Sequence, residues 1–578
     1  MTSSRPYLGR CVPAATMFRS EISGTQGAVS SNNPYATKAG LEILQKGGNA
    51  IDAAVAVSLA LGVVEPFNSG IGGGAFSLYY YKADDRFFAC DARGVAPAAA
   101  YEKMFLGENG EPDPMLTEYS GRAVATPAIY RAYEAMLAKH GTMSLAEVSE
   151  PAIRLAREGF RCGFLYARAS ETVNAEHSAK TYSGFAELYL NSGMPRKFGE
   201  LIQNPDLART MEQVAENGVD WFYNGPIADE IVAASRENLG VLTMNDMAAC
   251  RAIYREPVRG NYRGNDIVSM PPPSSGGVHI IQALNILENF DLRAMGHCSA
   301  NSTHLIAEAL KLMFADRSVA MGDPAFVKIN LDKLMSKEYA YELAQKIDMA
   351  HAQEFAPTAG IEAKDYDGCT TNFTVQDRFG NLLAQTQTIR NWWGCGVAVP
   401  GRGFVLNNNM ADFSAKAGVR TSQGLSYGSA NAVRPGKTPL SSMCPTIILR
   451  NGQPFMTVGS AGGPRIITST LQTILNVLEY DMMMDAAIRS PIICALTKDQ
   501  GVEMDAGFSP DTVALLEQKG HRIIQLPSYG IVKGYVNGIL ERDGVFYPGG
   551  TCRGEGGGGG ILTDDLAVCM DGFHFEEP

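Results

Sequence analysis

The sequence predicts an α+β layered fold with a mainly antiparallel sheet, on three observations. Residues 144–249 and 302–353 show helical periodicity with charged outer faces, as in SLAEVSEPAIRLAREGF and HLIAEALKLMFADR. After Cys369 the texture changes to short alternating strands: TTNFTVQD and LLAQTQTI flank a Phe379-Gly380-Asn381 turn, and TIILR and PFMTVGS flank Asn451-Gly452. Helices interleaved with such hairpins, and no internal repeat, are the pattern of stacked helical and antiparallel layers.

Taken in order, Ala36, Ala39, Leu41, Ile43 and Leu44 predict a helix from Tyr35, stopped by Gly47-Gly48. Asn49 is a good N-cap for a second helix reaching about Val63. EPFNSGIGGGAFSLYYY then reads as a glycine-rich turn leading into a strand. No Gly-Lys-Ser/Thr follows, so tight backbone packing, not phosphate binding, is the expected use of Gly70, Gly72, Gly73 and Gly74. PPPSSGG at 271–277 is a turn, and GEGGGGG at 554–560 reads as a flexible surface loop.

The chain has 578 residues, 45% hydrophobic and 19% charged, which is ample for a sizeable core. Its net charge of −12 argues against nucleic acid or an anionic membrane as partner, because both need a Lys/Arg surplus; small molecules are expected instead. Eleven cysteines occur singly without a CxxC or Cys/His cluster, so neither a zinc site nor full internal pairing is expected. AIDAAVAVSLALGVV is too short to span a bilayer and carries Asp52, and the first thirty residues contain no apolar signal core. A cytoplasmic protein is the expectation.

No HExxH or metal cluster is present, and His304 is expected to be a core or surface residue. Locally, Cys369-Thr370-Thr371 at a strand start is the only chemical hint. Several colinear segments, however, resemble the γ-glutamyltranspeptidase family of N-terminal-nucleophile hydrolases. They are NPYATKAGLEILQKGGNAIDAAVAVSLALGVVEPFNSGIGGGAF, DARGVAPAAA, FYNGPIADEIV, PPPSSGGVHIIQALNILE, KLMFADRSVAMGDPAF, TTNFTVQDRFGN, LNNNMADFSAK, PLSSMCPTIIL and GSAGGPRIITS. The resemblance spans residues 24–565 and implies a four-layer αββα sandwich, made as one precursor that cuts itself before the nucleophile.

Mapped onto this chain, the resemblance implies an extension over 1–23, a large-subunit segment over 24–369 and a small-subunit segment over 370–578. The cut would fall between Cys369 and Thr370, giving pieces of 369 and 209 residues. The freed α-amine, with a reference pKa of ~7.7–8.0, would serve as general base for its own hydroxyl, so no cofactor or metal is called for. By the same resemblance Thr388 orients the nucleophile and Gly462 and Gly463 form the oxyanion hole. Arg93, Ser441 and Ser442 clamp the substrate α-carboxylate, and Asp412 pairs with the α-ammonium. An arginine fork suits a planar carboxylate, and each oxyanion donor is worth about 2.7–4 kcal/mol.

Four positions depart from the family pattern. Asn372 stands where His is common, Asn409 where Gln or Glu is usual, and Gln423 lies in the lid loop where many members have an aromatic residue. Arg390 stands where γ-glutamyl-specific members have an Asn that helps bind the α-ammonium. A guanidinium there repels an ammonium unless Asp412 compensates. The implied activity is hydrolysis or transfer of a γ-glutamyl group through an acyl-Thr370 ester, with water or an amine as acceptor and further homo-oligomerisation open. Alternatives are the same machinery on another amide, such as a dicarboxylate monoamide, and a non-catalytic relative, against which the intact Thr370 and glycine pair argue.

Overall fold

Asn33 accepts from the Tyr35 N–H at 3.1 Å and Pro34 occupies the first turn, so helix α1 (Pro34–Gln45) starts where its unpaired N–H groups find partners. Helix α2 (Ala50–Val64) opens with a full capping box between Asn49 and Asp52. Asp52 also accepts from the Thr142 hydroxyl and the Thr142 and Met143 N–H groups, which explains how one carboxylate sits in an otherwise apolar, wholly buried helix. The computed structural model describes residues 22–175, 183–355, 370–419, 421, 424–425, 427–526, 534–562 and 568–570. Among them no helix is long and apolar enough to cross a membrane.

The strands that position the site are, in chain order, β1 (Gly27–Ser31), β2 (Gly74–Tyr81), β3 (Arg86–Ala92), β4 (Ile253–Arg255), β5 (Val258–Tyr262), β6 (Asn265–Ser269) and β7 (Thr371–Asp377). They continue as β8 (Leu382–Thr388), β9 (Thr446–Arg450), β10 (Gln453–Ala461), β11 (Tyr535–Arg542), β12 (Val545–Gly550), β13 (Gly557–Ile561) and β14 (Val568–Met570). One eight-stranded sheet runs β14-β13-β1-β7-β8-β2-β3-β4, and a six-stranded sheet runs β12-β11-β10-β9-β6-β5, with every neighbouring pair antiparallel.

The sheets pack face to face, β7 and β8 against β10 and β11. Helices α1, α2 and α3 (Leu145–Glu158) form a layer on the eight-stranded sheet. Helices α4 (Gly276–Leu287), α5 (Ala300–Ala320) and α6 (Arg465–Leu478) form one on the other. This is the αββα sandwich. Both expected hairpins are present, and Asp377 shows why the first one turns where it does. Its carboxylate accepts from the Phe379 and Asn381 N–H groups and from the Ala50 N–H of α2, tying the turn to the helix layer.

Two expectations are corrected. GEGGGGG is not a surface loop, because Gly557–Ile561 is the buried strand β13, paired with β1 and β14. A Cβ on Gly560 would lie 2.3 Å from the Ser23 carbonyl oxygen, and one on Gly558 2.7 Å from that of Pro548, so glycine serves close backbone approach here. Helix α5 does not turn its charges outward either. Glu308, Lys311 and Arg317 are all buried, Glu308 and Lys311 as an ion pair, because other elements cover the helix on more than one side.

Candidate active site

Thr370 immediately precedes β7 and is 4% exposed; its hydroxyl donates to the Thr388 hydroxyl at 3.2 Å across the hairpin. Thr388 Oγ1 in turn accepts from the Arg390 N–H at 2.8 Å. The glycine-rich turn before β2 permits this crowding: a Cβ on Gly73 would meet the Thr388 carbonyl oxygen at 2.4 Å. The tight-packing reading of those glycines is therefore the structural one.

Arg390 has φ of +81°, a left-handed conformation uncommon for a residue with a side chain, held by bonds at both ends. Its Nε donates to Asp412 Oδ1 at 2.7 Å and its Nη2 to the Ala411 carbonyl at 3.1 Å, while Nη1 lies 3.7 Å from Glu118. The other oxygen of Asp412 accepts from Arg93 Nη2. Asp412 sits on a 3₁₀ turn, Asn409–Asp412, whose main chain is held by Asn431.

Ser441 and Ser442 precede β9, pinned against PPPSSGG. The Ser275 N–H and hydroxyl both donate to the Ser441 carbonyl, at 2.9 and 2.7 Å, and Ser441 N–H donates to the Pro273 carbonyl. Gly462 and Gly463 join β10 to α6 with φ of +121° and +61°, which a β-carbon would strain. Among the described residues their N–H groups meet no protein acceptor, and they stand at the positive end of a 14-residue helix.

One pocket is lined by Thr370, Thr388, Arg93, Arg390, Asp412, Ser441, Ser442 and Gly463, together with Tyr427, Leu440, Met443 and Ile466. Nearly all the sequence-derived candidates thus converge. Gly462 adjoins the pocket without lining it, and Asn409 lies behind Arg93, its Nδ2 3.5 Å from the Arg93 carbonyl. Asn372 points between the sheets, donating to the Gln385 carbonyl at 2.9 Å. Cys369 and Gln423 lie outside the described residues. Sequence reading missed Tyr427, Glu118 and Arg317; a buried arginine on a helix whose charges look solvent-facing leaves no local signal.

Burial pulls the Arg93 guanidinium below its usual pKa, and neighbouring Arg390 adds to this, against the pull of Asp412. For Arg390 burial is outweighed by Asp412 and Glu118, and the net direction is upward. Outside the pocket, His304, Glu308 and His521 form the one group among the described residues whose metal-type ligand atoms cluster. There the two imidazoles hydrogen-bond each other at 2.7 Å and Lys311 forms an ion pair with Glu308, so the group is a buried polar network and His304 a core residue.

Comparison with known proteins decides the kinship. The family model described as gamma-glutamyltranspeptidase matches residues 36–561. The chain belongs to the γ-glutamyltranspeptidase family. Within it, the chain is 40% identical over 527 residues to a glutathione hydrolase proenzyme of Escherichia coli (strain K12), covering 91% of this chain and 90% of the relative. It is 36% identical to an acylase ACY 1 proenzyme of Pseudomonas sp. (strain SE83), over 94% of each. Among solved structures, the cephalosporin acylase from Bacillus halodurans superposes with a TM-score of 0.83 at 27% identity, covering 97% of this chain and 99% of that one. As a γ-glutamyltranspeptidase family member this chain is an enzyme with the N-terminal-nucleophile hydrolase fold.

Proposed function

We propose that this protein is a self-processing N-terminal-threonine amidohydrolase and acyltransferase that cleaves γ-glutamyl amides of the glutathione type. The convergence of Thr370, Thr388, Arg93, Asp412, Ser441, Ser442 and Gly463 on one pocket carries the reading. In the precursor, Thr370 Oγ attacks the Cys369 carbonyl, an ester replaces the amide and frees the Thr370 α-amine, and water then cleaves the ester, restoring the Thr370 hydroxyl and leaving Cys369 as a carboxylate. The segments 24–369 and 370–578 become the two subunits. They stay together because β7 and β8 lie between β1 and β2 in one sheet, and β9 beside β6 in the other.

In turnover the α-amine takes the Thr370 hydroxyl proton as Oγ attacks the γ-carbonyl. The Gly462 and Gly463 N–H groups receive the oxyanion, and the proton passes to the departing amine. Water or a second amine then releases the acyl group from the Thr370 ester. Arg93, Ser441 and Ser442 hold the α-carboxylate and Asp412 the α-ammonium.

A second reading, the same chemistry on a dicarboxylate monoamide, is favoured by one observation: Asp412 is already shared by two guanidiniums, leaving less of its charge for an ammonium. Intact-mass spectra of wild type and Thr370→Ala, with rates on γ-glutamyl- and glutaryl-p-nitroanilide, test both readings. The first requires 369- and 209-residue species in the wild type alone and preference for the γ-glutamyl compound; preference for glutaryl selects the second. Activity in unprocessed Thr370→Ala would overturn both.

A further inference from the structure

PPPSSGG and the buried charges of α5 meet at one place, behind Ser442. Arg317, on the last turns of α5, is 1% exposed. Its Nε donates to Ser275 Oγ at 2.8 Å and its Nη2 to Ser442 Oγ at 3.0 Å, and its guanidinium lies 5.1 Å from the centre of the Tyr427 ring. Ser275 passes the contact on, its hydroxyl donating to the Ser441 carbonyl at 2.7 Å. One guanidinium thus holds both serines of the clamp, Ser442 by its side chain and Ser441 through Ser275.

Two features separate this from an ordinary structural arginine. Among the described residues no carboxylate lies within 4.0 Å of Arg317, whereas Arg93 and Arg390 both have Asp412. A buried charge without a counter-ion is costly, and hydroxyls and a ring face compensate it only in part. The hydrogen bond to Ser442 is also directional. With one lone pair of Oγ occupied by Arg317, and no protein acceptor for its proton among the described residues, the Ser442 hydroxyl is left to donate into the pocket.

We propose that Arg317 is a positioning residue of the acyl-carboxylate subsite. It polarises and aims the Ser442 hydroxyl at a carboxylate on the acyl group. The proposal rests on the acyl-transfer reading above and holds for a γ-glutamyl or a glutaryl donor alike, since both carry that carboxylate.

The test compares Arg317→Met in the wild-type and Ser442→Ala backgrounds, on whichever anilide the wild type hydrolyses faster, after intact mass has verified processing. In the wild-type background Arg317→Met should raise KM about tenfold or more, with kcat changed less than about threefold, the size of one charge-assisted hydrogen bond. In the Ser442→Ala background the same change should raise KM less than about threefold, because the route through Ser442 is already gone. Equal KM effects in both backgrounds, or a loss confined to kcat, would overturn the proposal in favour of a buttress. Should Arg317→Met remain a 578-residue species, Arg317→Lys, which keeps the charge but not the planar fork, is read by the same criteria. A wild type that turns over neither anilide overturns the functional reading and this proposal with it. Turnover by the wild type with KM unmoved in Arg317→Met overturns the proposal alone.

Discussion

Arg390 and Asp412 are joined side chain to side chain at 2.7 Å inside the pocket. Asp412 is held by Arg93 as well, so the sequence-level repulsion argument has a structural answer: the carboxylate offsets a guanidinium before any substrate arrives. Less of its charge is left for an ammonium, which is the ground for the dicarboxylate-monoamide reading.

Arg390→Asn should therefore raise the ratio of γ-glutamyl to glutaryl hydrolysis, by roughly tenfold in kcat/KM. Asn tolerates the left-handed backbone at this position, so folding should survive. Parallel kinetics on the two anilides check this, and an unchanged ratio would remove Arg390 from the specificity argument.

Thr388→Val keeps the β-branched shape and removes the acceptor that both the Thr370 hydroxyl and the Arg390 N–H use. We expect processing and turnover each to slow about tenfold or more. An intact-mass time course together with kcat reads both. If both stayed within twofold of wild type, Thr388 would have no orienting role.

Gly560→Ala forces a methyl group to 2.3 Å from the Ser23 carbonyl oxygen, so backbone must move. A loss of about 1–3 kcal/mol is expected, seen as a lowered thermal midpoint. Gly184→Ala is the control: in a helix, with only the Ala398 Cβ nearby at 3.7 Å, it should hold or raise the midpoint. Equal midpoints for the two variants would contradict the close-approach account of β13.

Glu65, buried at the end of α2, has its carboxyl pushed up to about 7, chiefly by burial, with Asn68 opposing and the charge of Glu555 adding. Its folded-state value lies above the unfolded one of 4.5, so between these pH values the folded state binds the extra proton. Stability from this group therefore falls as pH rises from 4.5 to 7 and is level beyond. Glu65→Gln, neutral throughout, should gain on wild type between pH 5 and 8, by up to about 3 kcal/mol. Thermal midpoints of both proteins at the two pH values measure it, and a difference that does not grow with pH would refute it.

Much of the fold was legible because its signals are local. The Asn49 cap and Asp52 are three residues apart, and the Phe379-Gly380-Asn381 turn and the Asn451-Gly452 turn each specify a hairpin within a dozen residues. Thr370, Gly462 and Gly463 were singled out only through the family resemblance, since Thr370 alone is indistinguishable from a packing threonine. GEGGGGG was not legible: a glycine run has the same composition whether it is a loose loop or a strand pressed against Ser23 and Pro548.

By itself, then, the sequence determined the helices, the hairpins, their antiparallel layering and the family to which the chain belongs. Only the tertiary structure decided how the charges are shared: that Arg93 and Arg390 hold one carboxylate, and that Arg317, on an apparently amphipathic helix, turns inward to Ser442. Arg93 and Asp412 are 319 residues apart, and Arg317 and Ser442 125. Such pairs meet because two sheets close on each other. Hydrophobic period and capping chemistry set local conformation, but the partner of a buried charge is chosen by whichever polar groups the closed layers leave within a few ångströms of it.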